Sequence, residues 1–197
     1  MSKRRQPGPI AEMKDNPMLR LWLLRHAKSA WDDPKLDDFA RALSARGKKA
    51  CRALARHMGE RAIHPDLVLC SPATRTRQTW ERLEKRLSGD APPRVPGEPR
   101  ARFEPRLYLA ESATLLALVR AAPAAVRELL VIGHNPGLED FASDLTGSSA
   151  GDALDRLGDK YPTGGLAELT FNAKNWGQVA PKSGFLASFV VPAQLAD

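Results

Sequence analysis

The sequence predicts an α/β fold: a mostly parallel central sheet with helices on both faces. Three observations predict it. The runs "LRLWLL" (19–24), "DLVLC" (66–70) and "ELLVIG" (128–133) are short and nearly continuously apolar, as strands buried on both sides are. Segments with the apolar spacing of helices lie between them. Each run then breaks into polar residues that begin a turn or helix, where open α/β sheets carry their sites.

Residues 1–17, "MSKRRQPGPIAEMKDNP", are polar and contain proline, so a flexible basic arm is expected there, followed by one domain over 18–197. The first strand covers 19–24. Ser44 is placed to cap a helix reaching about Gly59, with Cys51, Leu54, Ala55 and Met58 on its apolar face. The second strand (66–70) runs into "SPATRTRQTWERLEKRL" (71–87), a helix with proline near its first turn and Trp80, Leu83 and Leu87 on one face. The Pro/Gly-rich stretch 88–99 reads as a loop, and Ala101–Phe103 as a short extended piece. Ser112 is a candidate cap for a helix carrying Leu115, Leu118 and Val119. The third long strand (128–133) turns into a helix with Leu138, Phe141, Ala142 and Leu145 on one face. Residues 146–165 are expected to be loop-rich. Two late strands, 166–171 and 184–191, form a hairpin through "NAKNWGQ" with Trp176 in it.

Composition narrows the function classes. The chain has 197 residues, 43% hydrophobic and 27% charged, which is ordinary for a soluble domain. No apolar run approaches the roughly 20 residues that span a bilayer. The N-terminus has positive charge but no apolar segment of a secretory signal, so a cytoplasmic location and no membrane partner are expected. Cys51 and Cys70 read as small buried hydrophobes, and no Cys/His cluster has metal spacing. The net charge of +7 calls for an anionic partner. The cations are scattered and no nucleic-acid-binding motif is present, which favours phosphorylated molecules over nucleic acid.

Three strand ends carry the chemistry. The first ends in Arg25-His26, the second in Ser71-Pro72 with Arg75 in the next helical turn, and the third in Gly133-His134-Asn135-Pro136-Gly137. If the strands are neighbours, two arginines and two histidines converge. Arginine presents a planar fork that grips phosphate oxygens. A helix N-terminus adds to that grip. A neutral imidazole can attack phosphorus, and cationic side chains can stabilise the transferring group without a metal.

Those motifs resemble the histidine phosphatase (phosphoglycerate-mutase-like) superfamily. "LLRHAKSAW" resembles its Arg-His-Gly signature, "SPATRTRQT" its second-arginine motif and "VIGHNPGLED" its second-histidine motif. "DDFARALSARGKKA", with Asp38, Arg41, Leu43, Ser44 and Gly47, is similar to the segment that follows the first motif. The Arg-His-Ala-Lys-Ser and Gly-His-Asn-Pro-Gly forms and the short length resemble the SixA-like phosphohistidine phosphatase branch. The resemblance spans about residues 19–170 and implies a three-layer α/β/α fold. It implies that His26 is the nucleophile and forms a phosphohistidine intermediate. It implies that Arg25 and Arg75 bind the phosphoryl oxygens, that His134 stabilises the transition state, and that no metal or organic cofactor is needed. A phosphorylated substrate, such as a phosphohistidine protein, would be the partner. A broad small-molecule phosphomonoesterase is the alternative within the enzyme class; a phosphate-binding module without turnover is the alternative outside it.

The chain departs from the family in three places. Ala27 replaces the signature glycine. Asp32 stands where many members carry asparagine, and its charge would repel phosphate, so it receives no binding role. The glutamate that protonates the leaving group in many members is replaced by Leu109; Glu104 and Glu111 lie nearby but off register, each a candidate acid or a solvated loop residue. Such a gap favours substrates with good leaving groups, such as phosphohistidine. Ser29 is either a phosphate contact or a local turn residue. Trp31 is expected at the site mouth. His57 is expected on the surface and His64 in a turn.

Overall fold

The computed structural model describes residues 18–88, 93–97 and 99–195; the basic arm lies outside them. The described residues form a seven-stranded sheet in the order β3-β2-β4-β1-β6-β7-β5. Its strands are β1 (Leu19–Arg25), β2 (Leu67–Cys70), β3 (Ala101–Phe103), β4 (Glu128–Gly133), β5 (Thr146–Ser149), β6 (Leu166–Phe171) and β7 (Gly184–Val190). Only β6 runs antiparallel to its neighbours, β1 and β7; every other pairing is parallel. The mostly parallel sheet expected from the apolar runs is therefore present.

Alternation along the strands splits the core into two layers. Trp22, Leu24, Val68, Cys70, Leu130 and Ile132 face α1 (Ala45–Glu60) and α2 (Thr74–Ser88), meeting Leu54, Met58, Trp80 and Leu83. Leu21, Leu23, Leu69, Leu129 and Val131 face the other way. They pack against Leu115 and Val119 of α3 (Ser112–Arg120), Phe141 and Leu145 of α4 (Gly137–Leu145), and Leu157 of α5 (Ala153–Asp159). Successive strand residues point to opposite faces, so a strand covered on both sides must be apolar throughout. That is why β1, β2 and β4 stand out in the sequence.

Several local expectations change. Ser44 caps α1 as expected, its hydroxyl accepting from the Gly47 N–H. At α3 the cap position is Glu111, without a side-chain cap bond, and Ser112 donates instead to Asp144 at 2.6 Å. The segment 146–165 is not all loop: it holds β5 and α5. Trp176 is fully buried and donates its indole N–H to the Val126 carbonyl at 2.7 Å, so it locks the β6–β7 connection onto the core. His57 is half-buried rather than exposed. Cys51 and Cys70 are buried free thiols, and burial pushes them up to about 11 and about 12.

Candidate active site

Register brings the three motif ends together. Arg25 stands level with Gly133 across the β1–β4 pair, and Cys70 stands level with Ile132 across the β2–β4 pair. His26, Ser71 and His134 therefore emerge side by side at the carboxyl edge. Backbone bonds continue the ladder past the strands: His26 N donates to Gly133 O, and Ser71 N to Ile132 O. Beyond Ser71 the chain enters α2. Thr76 Oγ1 donates to the carbonyls of Ser71 and Ala73, which fixes the turn and places Arg75 in the first helical turn. Thr79, one turn on, receives the Ala27 N–H and holds the loop behind His26.

Arg25, His26, Ser29, Arg75 and His134 line one pocket of about 300 Å³, together with Lys28, Trp31, Asp38, Leu109, Asn135 and Thr163. The core of this group is bonded. His26 donates through Nδ1 to the Ala27 carbonyl at 2.8 Å, so its Nε2 carries a lone pair. That lone pair accepts from Arg75 Nε at 3.2 Å. His134 Nδ1 accepts from Arg75 Nη2 at 3.1 Å, and its Nε2 donates to Ser71 Oγ at 2.8 Å. The two rings stand 5.1 Å apart. Arg25 donates to the Tyr161 carbonyl at 2.6 Å, and its Nε is buried with no partner among the described residues.

Both rings are neutral in this setting. Burial, reinforced by the nearby Arg75, lowers His26 to about 4 against the backbone bond from Ala27. Burial, then a proton on His26 and the charge of Arg75, lowers His134 to about 3. Desolvation and neighbouring cations act in the same direction here, because each penalises a charged imidazole.

The roles of two functional candidates escaped sequence reasoning. Asp38 accepts from Arg75 Nη2 at 2.9 Å and from the Tyr108 hydroxyl at 2.8 Å, while its own carbonyl accepts from Arg75 Nη1. Burial alone would raise this carboxyl, but the Tyr108 bond and the Arg75 charge outweigh it and hold it below its ordinary value. The tie is tertiary, between residues 37 and 70 positions apart, so no local pattern marks it. Tyr161 is the second: it sits in a stretch expected to be loop-rich, yet its carbonyl anchors Arg25 and its buried hydroxyl donates to the Leu23 carbonyl.

The two candidate acids are placed elsewhere. Glu104 caps a short helical turn and is bonded to Arg106 at 2.9 Å. Glu111 lines a different cavity, beyond Pro136. Leu109 does line the pocket, 54% exposed, with a left-handed backbone (φ 49°). Asp32 is exposed and outside the pocket lining. Ser29 is buried and accepts from the Trp31 indole N–H at 3.1 Å. Trp31, 65% exposed, reaches the mouth with the Arg41 guanidinium 4.3 Å above its ring. Among the described residues, no group of three or more His, Cys, Asp or Glu side chains could hold a metal ion, and no helix is long and apolar enough to cross a membrane.

Comparison with known proteins gives a consistent result. Residues 21–98 match the family model described as the histidine phosphatase superfamily, branch 1. An uncharacterized protein of Mycobacterium tuberculosis is 35% identical over 171 residues, covering 86% of this chain and 99% of the relative. The crystal structure of a SixA protein from Agrobacterium tumefaciens is 31% identical, with a TM-score of 0.71 over 88% of this chain and 98% of that one. A SixA structure from Nakamurella multipartitia is 26% identical, with a TM-score of 0.74 over 89% of this chain and 96% of that one.

Proposed function

Because this chain belongs to the SixA-like branch of the histidine phosphatase superfamily, we propose that it is a phosphatase working through a phosphohistidine on His26, with protein phosphohistidine as substrate. The observation that carries the reading is the unprotonated Nε2 of His26, fixed by the Nδ1 bond to Ala27 and accepting from Arg75 Nε. A neutral imidazole with a fixed tautomer is a ready nucleophile.

The reaction would run in two displacements. His26 Nε2 attacks phosphorus, the N–P bond forms, and the bond to the leaving group breaks with its electron pair departing on that group. Water then attacks phosphorus, the N–P bond breaks, and His26 returns to its neutral form with phosphate released. Arg25 and Arg75 would grip the equatorial oxygens, and His134, whose Nδ1 faces Arg75 and whose Nε2–H is given to Ser71 Oγ, would donate to them once its proton moves to Nδ1. The buried, unpartnered Nε of Arg25 supports this assignment, since a phosphoryl oxygen would supply its missing acceptor.

The leaving group favours phosphohistidine. Among the described residues, the one carboxylate lining the pocket is Asp38, bonded to Arg75 and Tyr108 and held below its ordinary value. Leu109 offers no proton. An alkoxide would leave poorly from such a pocket. A phosphoimidazole protonated at its other ring nitrogen departs as neutral imidazole and needs no acid. The SixA proteins this chain resembles carry the name phosphohistidine phosphatase, which supports the same choice.

The test is hydrolysis of an aryl phosphate, a phosphohistidine peptide and an alkyl phosphate by wild type and His26→Ala, all in chelator. Expected are turnover of the first two, far slower turnover of the third, and loss of all activity with His26. Equal rates on alkyl phosphates would favour the small-molecule phosphomonoesterase. Tight phosphate binding without turnover on any substrate would favour a binding module.

A further inference from the structure

The catalytic pocket continues into a furrow. It shares Lys28 and Thr163 with a cavity of about 120 Å³ that Arg46, Pro162 and Pro192 also line. That cavity shares Arg46, Ala50, Pro192 and Ala193 with an outer one of about 310 Å³, to which Lys49 contributes. Among the described residues, no carboxylate lines either cavity. A separate cavity of about 800 Å³, past Pro136, differs: it is lined by Glu111, Asp140 and Asp144.

The basic side is built by close packing. Both the N–H and the hydroxyl of Ser44 donate to the Lys28 carbonyl, at 2.9 and 3.0 Å. A Cβ on Gly47 would stand 2.1 Å from that same oxygen, so only glycine lets the first turn of α1 seat on Lys28. This contact sets Arg46 beside Lys28 on a shared cavity wall. The first turn of α1 then carries Arg46 and Lys48 and no acid. Positive charge there opposes the helix dipole, so these cations do not serve the stability of α1. An anion in the furrow would relieve that repulsion. Ala50, Pro192 and Ala193 supply an apolar floor for the stem of a side chain.

We propose that this furrow is a subsite for an acidic side chain flanking the phosphorylated residue of a protein substrate, held by Lys28 and Arg46 while the phosphoryl group sits at His26. The inference rests on the phosphatase reading above and adds a specificity element to it. A small aryl phosphate, which places nothing in the furrow, would not sense Arg46.

Two peptides test it, each carrying a phosphonate analogue of phosphohistidine, one flanked by glutamates and the other by glutamines. Their affinities are measured at low and high salt for wild type, Arg46→Ala and Arg46→Glu. Wild type is expected to bind the glutamate peptide about fivefold more tightly at low salt, as exposed ion pairs allow. The preference should shrink with salt and disappear in Arg46→Glu. The kcat/KM on an aryl phosphate should be unchanged in both variants. Equal affinity for the two peptides in wild type, or a preference that survives Arg46→Glu, would overturn the subsite. Failure of the phosphatase reading would show separately, as absent aryl phosphate hydrolysis by wild type.

Discussion

Arg75 donates through Nε to the lone pair of His26 that the proposed chemistry uses, at 3.2 Å, and the same guanidinium reaches His134 at 3.1 Å. One side chain therefore reads the protonation state of both rings. A proton on either facing nitrogen would set an imidazolium against a guanidinium in a buried site.

The pH behaviour follows. Both histidines have folded values below the ordinary one, at about 4 and about 3. A neutral ring is thus favoured by folding. The stability they contribute is complete above about pH 6.5 and is lost as pH falls toward 4. Nitrogen NMR at pH 5.5 should still show His26 as the Nδ1–H tautomer and His134 as the Nε2–H tautomer. Protonated rings at that pH would contradict the bonding described here.

Removing Arg75 should be severe. Arg75→Ala is expected to lower kcat on an aryl phosphate by on the order of 10²–10³, the cost of losing a donor to developing charge. Arg75→Lys should recover little, because a single ammonium cannot bridge two imidazoles and Asp38 at once. Steady-state kinetics would decide; a lysine variant near wild type would mean the fork geometry is unimportant.

Asp38 should act through Arg75. Its carboxylate would repel a phosphoryl dianion but holds the guanidinium proposed to grip it. Asp38→Ala is expected to lower kcat by about 10- to 10²-fold through misplacement of Arg75, with no rise in KM. Asp38→Asn, which keeps an acceptor for Arg75 and Tyr108, should recover part of the loss. A change confined to KM would place the aspartate in binding instead.

Gly137 should tolerate no side chain. A Cβ there would lie 1.8 Å from the Ala110 carbonyl, at the start of α4 just past His134. Gly137→Ala is expected to destabilise the fold by about 1–3 kcal/mol and to lower activity with it. Gly158→Ala meets nothing within 4 Å and should be neutral or slightly stabilising. Chemical denaturation of both variants checks the contrast.

What the sequence revealed follows from where the information lies. β1, β2 and β4 were legible because burial on both faces forces continuous apolar runs. The convergence of Arg25, His26, Arg75 and His134 was legible because each follows such a run. β5 was hidden: of Thr146–Ser149 only Thr146 is buried, so the edge strand has no apolar signature. α5 buries only Ala153 and Leu157, too few to set a period. The Asp38–Arg75 tie and the Tyr161 anchor were illegible for another reason. They exist only through tertiary contact, and nothing local in either residue announces the partner.

Gly164 donates its N–H to the carbonyls of both Arg25 and His26. The strand-end loop that holds His26 is thereby fastened by a residue 138 positions later, while Arg75 and His134 follow two further strands. No fragment of the chain owns the site. If the proposed site binds phosphate or vanadate, only the completed domain can do so, and the ligand should raise the unfolding temperature with concentration. The same arrangement makes the protein's affinity for an oxyanion a report on whether the whole chain has finished folding.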